Sequence, residues 1–423
     1  MAEKVFSSFD LEKLLTQEGG YNNFCFLNSN GAPTGSYCGL SKYDYLAGIN
    51  SLDEITINEN TLTGLDDFIN RHQSKWKFGF ISYDVKNEIE KLDSANEDNI
   101  QFPSIHFFVP QIVLVSEGGE IKIINQQSDE VEVMTTTEVE LRSEQKKKSI
   151  QLKARFSKEE YINAVNDLKL HIQQGNIYEI TFCQEFYGDN AVINPFETYV
   201  KLNNAARAPM SCFYKTGSNY LISASPERFL AKRGNQLFSQ PIKGTAARSL
   251  SREEDAILKD MLQQSEKERA ENIMIVDLVR NDLSRIADKG SVKVDELLGA
   301  YSFKTVHQLI STVSCTVEER ISFSEILKAA FPMGSMTGAP KISAMKLIDD
   351  FEKTKRGLFS GSMGYIAPDG DFDFNVVIRS ILYNSDKKKV SVQAGGAITI
   401  QSNADQEYEE CLLKAQAMMD ALR

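Results

Sequence analysis

The chain has 423 residues, 42 % of them apolar and 25 % charged, enough to bury a large core arranged as two or three domains or as one intertwined unit. Its formal net charge of −12 repels nucleic-acid phosphates and anionic membrane surfaces, and no Lys/Arg-rich run with interleaved aromatics offsets it, so neither is expected as a partner. An anionic small molecule would have to find its positive partners locally.

Residues 1–10 mix acidic side chains with a short apolar start, and no apolar stretch reaches the ~18 residues of a membrane helix, which points to a cytoplasmic protein. Cys25, Cys38, Cys183, Cys212, Cys315 and Cys411 are scattered without CxxC spacing, as suits reduced thiols. With only four histidines in the chain, oxygen ligands are expected for any metal.

In chain order, residues 24–27, 77–83 and 106–115 are short apolar runs punctuated by Gly, Asn and Asp, a strand-rich pattern. Residues 126–153 are charged and Thr-rich, and they mark the best boundary between a strand-rich region, 1–150, and a region 151–423. A helix starts at Ser157, which forms a capping box with Glu160; Tyr161, Val165, Leu168 and Ile172 make its apolar stripe and Gly175 ends it. Residues 177–187, 220–224, 229–232 and 237–240 read as strands, and 252–287 and 323–330 as helices. Pattern alone therefore predicts a mixed α and β fold.

Four features could carry chemistry. In SPERF and PIKGT, Glu227 opens and Lys243 leaves a predicted hairpin: a three-residue turn at 234–236 pairs the two directly, whereas a two-residue turn pairs Glu227 with Ile242. Pro226 and Pro241 are expected to stop the ladder there, and burial to lower the lysine pKa toward neutrality. The bland alternative is a surface ion pair. Glu268 with Glu271, and Glu407 with Glu410, share the spacing ExxE on predicted helices, so each pair lies on one face and together they could offer four carboxylates to a hard cation such as Mg²⁺; otherwise they are solvated acids, Glu410 pairing with Lys414. Third, the amides around Gly395 and Gly396, with Arg379 upstream, could hold a carboxylate, or the glycines simply make a tight turn. The segment 331–341, with Ser335, Thr337 and Lys341, either binds an anion or connects two helices. His307, among Val306, Leu309 and Ile310, is either a hydrogen-bonded core residue or a catalyst.

The order of SPERF, PIKGT, EKERAEN…DLVRNDL, FPMGSMTGAPK, RGLFSGSMGY, AGGAI and EYEE…KAQ resembles the chorismate-utilising family, which includes anthranilate, aminodeoxychorismate, isochorismate and salicylate synthases. The resemblance runs over residues 156–423, and FGFISYDVKNEIE at 78–90 looks like a further family segment. It implies two face-to-face β-sheets sandwiched between outer helices, an α/β (α+β) architecture in which the regions 1–150 and 151–423 are intertwined. It also implies that Glu271 and Glu410 bind Mg²⁺, with Glu268 and Glu407 supporting them, and that the metal holds the ring carboxylate of chorismate. Arg379 and the amides of Gly395 and Gly396 would take the enolpyruvyl carboxylate; Lys414, Gly244, Thr245 and Ser335 would line the substrate. Glu227 would be the general acid, assisted by His307.

Lys243 separates the subfamilies, because anthranilate synthases resemble this pattern with alanine at that point, whereas PIKGT is similar to aminodeoxychorismate synthases that form a covalent lysine intermediate in the para-aminobenzoate branch of folate synthesis. Two departures stand out: Phe359 replaces a tyrosine common in the family, and FCFLNSN at 24–30 lacks the tryptophan-binding motif typical of anthranilate synthases. The chain ends soon after Glu410, so a separate glutamine amidotransferase subunit is the expected ammonia source. Anthranilate synthase is the nearest alternative activity, followed by isochorismate or salicylate synthase and then a non-catalytic anion-binding subunit.

Overall fold

A computed structural model describes residues 5–6, 21–31, 42–136 and 150–423. Its first part contains strands β1 (Asn23–Asn28) and β2 (Tyr45–Ile57), helix α1 (Thr61–Arg71), and strands β3 (Lys77–Ile81), β4 (Ile105–Glu117) and β5 (Glu120–Asn125). Helix α2 (Lys158–Gln173), β6 (Glu179–Gly188), α3 (Pro195–Ala206), β7 (Met210–Thr216) and β8 (Asn219–Ser225) follow. Next come β9 (Arg228–Arg233), β10 (Gln236–Gln240), β11 (Ile242–Ala247), α4 (Arg252–Gln264), α5 (Glu266–Ser284), β12 (Lys293–Ser302) and β13 (Val306–Thr316). The last part holds α6 (Phe323–Ala330), β14 (Gly338–Ala339), α7 (Lys341–Phe351), β15 (Ser362–Ile366), β16 (Phe372–Val376), β17 (Ser380–Asn384), β18 (Lys389–Ile398) and α8 (Ala404–Ala421).

The strands form two antiparallel layers. One runs β5–β4–β2–β1–β7–β8–β17–β18–β6. The other runs β4–β3–β15–β16–β9–β10–β13, with β11 and β12 also on β13. The layers are continuous through β4, whose first residues pair with β3 and whose later ones pair with β5. Pro110 lies between those two stretches, paired with Ser51 where a bulge between Ser51 and Asp53 follows Asn50 at φ 57°, and a proline that donates no ladder bond with a left-handed residue nearby lets the strand pair bend.

Phe78, Phe80, Cys212, Tyr214, Leu230 and Phe374 fill the space between the layers, with Phe80 edge-on to Tyr214 at 5.4 Å. A second core lies between the first layer and α2, α3 and α8, from Phe182, Ile222 and Val392 to Val165, Tyr199 and Met418. The two-layer sandwich with outer helices is thus the observed fold, as one hydrogen-bonded network. Strands before residue 150 pair with strands after it, β1 with β7 and β3 with β15; residues 137–149, next to the expected boundary, lie outside the described residues, as do Cys38 and most of residues 1–10. Among the described residues no helix is long and apolar enough to cross a membrane.

Helix α2 forms as its pattern dictates, with Ser157 and Glu160 completing the capping box and Gly175 at φ 79° past its end. The single helix expected over 252–287 is instead two. Ser265 leaves the helical region at ψ 112° and accepts a hydrogen bond from the Glu268 amide, so it ends α4 and caps α5. The direct Glu227–Lys243 register is also corrected. Gly234 and Asn235 make a two-residue turn that pairs Arg233 with Gln236, and a bulge toward Arg228 shifts the register again. The ladder stops between the two prolines, and β11, carrying Lys243, pairs with β13 instead.

Candidate active site

Helices α5 and α8, strands β11 and β18, the Pro226–Glu227 turn and the segment before β14 enclose a cavity of about 760 Å³, within the range of small-molecule sites. Lys243, Glu227, Gly244, Thr245, Ser335, Arg379, Gly395, Gly396, Lys414, Glu268, Glu271, Glu407 and Glu410 all line it. Residues nearly 190 positions apart in the chain are brought together because β18 pairs with β6 while α8 packs back on β18.

Lys243 and Glu227 occupy one wall. Glu227 is buried at 5 % exposure, and burial pushes its carboxyl up to about 7, although the Ser335 hydroxyl and the Lys243 ammonium pull the other way. A carboxyl protonated near neutral pH is suited to general-acid work. Lys243 differs from expectation. Burial by itself favours the neutral amine, but Glu179, Glu271 and Glu227 surround it and hold its pKa above the ordinary lysine value, so the unliganded site keeps an ammonium. Its Nζ donates to Glu179 Oε1 at 2.9 Å, and the side-chain Nδ2 of Asn272 on α5 donates to the Lys243 carbonyl at 3.3 Å. The surface ion pair is excluded: Lys243 has a side-chain exposure of 13 %.

The two ExxE pairs meet across the cavity. Glu271 is pushed up to about 7, chiefly by burial, and its Oε1 is buried without a hydrogen-bond partner. Lys267 Nζ stands 3.9 Å from both Glu271 Oε1 and Glu407 Oε1, while Lys414 pairs with Glu410 at 2.7 Å. These ammonium groups pair with the acids and offset their charge, and among the described residues no three Asp, Glu, His or Cys side chains converge on one point. The donor set still fits Mg²⁺, which needs only one or two protein carboxylates and fills its octahedron with water and substrate oxygens. The Glu271 Oε1, buried without a hydrogen bond, is the group such a cation would satisfy.

The glycines make no turn. Gly395 and Gly396 sit inside β18, paired with Cys183 and Phe182 of β6. Beyond Val392, however, β18 has lost β17, so alternate amides of this stretch face away from the β6 ladder and toward the cavity. A Cβ on Gly395 would lie 1.9 Å from the Phe182 carbonyl, which only glycine avoids. Lys414 Nζ donates to the Gly395 carbonyl at 2.9 Å, and Arg379, at φ 52°, donates to the Lys414 carbonyl at 3.1 Å. Burial lowers the Arg379 pKa, but a guanidinium stays charged at any physiological pH.

Segment 331–341 connects α6 to α7 and sends Ser335 to the cavity; Thr337 donates to the Met333 carbonyl at 3.2 Å and Lys341 pairs with Asp282 at 2.6 Å, so neither is free for an anion. His307 is not brought to the cavity. Val306 and Gln308 line it, and strand alternation turns His307 to the other face, where its ring nitrogens meet Ser302 at 2.9 Å and Asp255 at 3.0 Å. The hydrogen-bonded core reading is the one realised. Phe359 does line the cavity, where a tyrosine would have offered a hydroxyl. Glu179 and Lys267 escaped the sequence reading; the only signal for Lys267 was its i,i+4 spacing to Glu271, and for Glu179 there was none.

The family model of chorismate binding enzymes matches residues 23–420. The chloroplastic aminodeoxychorismate synthase of Arabidopsis thaliana is 42 % identical over 269 residues, 63 % of this chain and 29 % of that protein, so the chain spans under a third of the plant relative's length. Aminodeoxychorismate synthase component 1 of Bacillus subtilis is 31 % identical over 360 residues, 81 % of this chain and 76 % of that one. The crystal structure of anthranilate synthase component I from Streptococcus pneumoniae superposes with a TM-score of 0.74 at 26 % identity, over 88 % of this chain and 91 % of that chain.

Proposed function

The chain belongs to the chorismate-binding enzyme family, and we propose that within it the protein is an aminodeoxychorismate synthase component I, converting chorismate and ammonia to aminodeoxychorismate. The observation that carries the reading is the joint placement of a buried lysine, Lys243, and a carboxyl raised to about 7, Glu227, on one wall of a cavity whose opposite wall is acidic.

Chorismate is a dianion in an acidic protein, and the site supplies local cations and N–H donors for it. Arg379 and the free amides of the Gly395–Gly396 stretch would take the enolpyruvyl carboxylate. Glu271 and Glu410 would hold Mg²⁺, with Glu268 and Glu407 supporting them, and the bound ion would supply Lewis-acid anchoring of the ring carboxylate. The amine of Lys243 attacks the ring carbon next to the carboxylate-bearing one, the double bonds shift, and the hydroxyl departs as water with the proton of Glu227. Ammonia then attacks the former hydroxyl carbon, the double bonds shift back and the lysine is expelled. A glutamine amidotransferase subunit would supply that ammonia, and a separate lyase would release pyruvate to give para-aminobenzoate. With no membrane-crossing helix among the described residues, a cytoplasmic location is the simplest reading.

Product analysis tests this. Chorismate, Mg²⁺ and ammonia should yield aminodeoxychorismate, and intact-mass measurement should find a chorismate-derived adduct that Lys243→Ala abolishes. Fluorescent anthranilate as the product would instead support the anthranilate synthase reading, which the likeness to the S. pneumoniae structure keeps as the alternative.

A further inference from the structure

The resting site holds Lys243 as an ammonium, yet attack on the ring requires its free amine, so a proton must leave the Nζ after the cavity has filled. We propose that Glu179 is the acceptor of that proton, taking it before the amine attacks and returning it when the amine is expelled. This rests on the reading of Lys243 as the nucleophile.

Glu179 is fully buried at the start of β6 and does not line the cavity; it stands behind Lys243, with its Oε1 2.9 Å from the Nζ. Its other oxygen, Oε2, is buried and accepts from no donor, so it has an open position for a proton. The backbone there is held firmly. Ala339 of β14 pairs with Glu179, and Gly338 sits so close that a Cβ on it would lie 2.2 Å from the Glu179 carbonyl. The other carboxylates whose charge reaches Lys243 come from different elements and have different tasks. Glu227, before β9, must give its proton to the departing hydroxyl, and Glu271 of α5 and Glu410 of α8 belong to the acidic wall. Among the described residues only Glu179 already receives a hydrogen bond from the Nζ.

The protons balance. The Lys243 ammonium passes one proton to Glu179, and the amine bonds to the ring while the hydroxyl leaves as water with the Glu227 proton. Ammonia forms the new C–N bond, the lysine leaves as a neutral amine and takes its proton back from Glu179, and the new ammonium group reprotonates Glu227.

The test is the rate of adduct formation with chorismate and Mg²⁺, without an ammonia donor, in wild type, Glu179→Gln and Glu179→Asp, from neutral to alkaline pH. In E179Q the adduct should form about 100-fold more slowly at neutral pH and recover as pH rises and hydroxide takes the proton, with chorismate affinity unchanged. E179D should recover part of the loss. If Glu179 merely stabilises the ammonium, the sign reverses: removing its charge frees the amine, and E179Q labelled at or above the wild-type rate at neutral pH overturns the proposal. Should E179Q not fold, E179D carries the same comparison, and a wild-type rate and pH profile in it would be equally fatal. Wild-type protein that turns over without any adduct, with Lys243→Ala still active, is a distinguishable result that removes the nucleophile reading and this proposal with it.

Discussion

A Cβ placed on Gly396 would stand 3.0 Å from Oε2 of Glu407, so the missing side chain is what allows the acidic face of α8 to close over β18. Gly396→Ala should push Glu407 aside and raise the chorismate KM about tenfold with little change in Tm, because a carboxylate end can yield. Gly395→Ala meets the Phe182 carbonyl, which cannot, and should cost ~2 kcal/mol or more of stability. Steady-state kinetics beside thermal unfolding separates the two effects; equal Tm losses would contradict it.

As the proposed general acid, Glu227 should make activity pH-dependent. Its carboxyl, raised to about 7 by burial, must carry a proton to act, so the rate limited by hydroxyl departure should fall as pH rises through about 7. The same shift acts on stability: the folded state holds this proton more tightly than the unfolded chain, so wild-type stability is lost as pH climbs from the ordinary glutamate range through 7. Glu227→Gln should therefore lose roughly 10²- to 10⁴-fold in rate while its Tm advantage over wild type widens across that window. Thermal melts at several pH values check the sign.

Lys243→Ala should abolish amination and also lower stability by roughly 3–5 kcal/mol, since it strands the buried Glu179 carboxylate. Adding Glu179→Gln should restore most of that stability and none of the activity. A double variant no more stable than Lys243→Ala would show that the pair is not the source of the loss.

Lys267 Nζ stands 3.9 Å from both Glu271 and Glu407, two of the carboxylates proposed to hold or support Mg²⁺. Lys267→Gln should tighten Mg²⁺ binding in the absence of chorismate several-fold, and Glu271→Gln should weaken it at least tenfold; titration calorimetry reads both. Chelation of Mg²⁺ should abolish turnover and be reversed by re-addition.

The local signals were legible where the physics is local. Ser157 and Glu160 mark a helix start because an N-cap serine and a glutamate three residues later satisfy each other's backbone donors, and the structure builds that box. The prolines at 226 and 241 could be recognised as ladder stops because proline has no donor. Two other elements misled for equally local reasons: a serine inside a helix-forming stretch can either continue the helix or cap a new one, and Ser265 caps; Gly-Gly serves a turn or a crowded strand, and the closeness of β6 decides for the strand.

By itself the sequence determined the mixed α and β composition, the ExxE faces of two helices, and the order of motifs that placed the chain in its family. Those depend on neighbours within a few residues or on the motif string itself. Only the tertiary structure decided that Lys243 pairs with Glu179 rather than with Glu227, that His307 faces Asp255 rather than the cavity, and that Lys267 stands among the acids. Charge and desolvation at a site act across contacts between strands and helices far apart in the chain, and no spacing along the sequence encodes those distances.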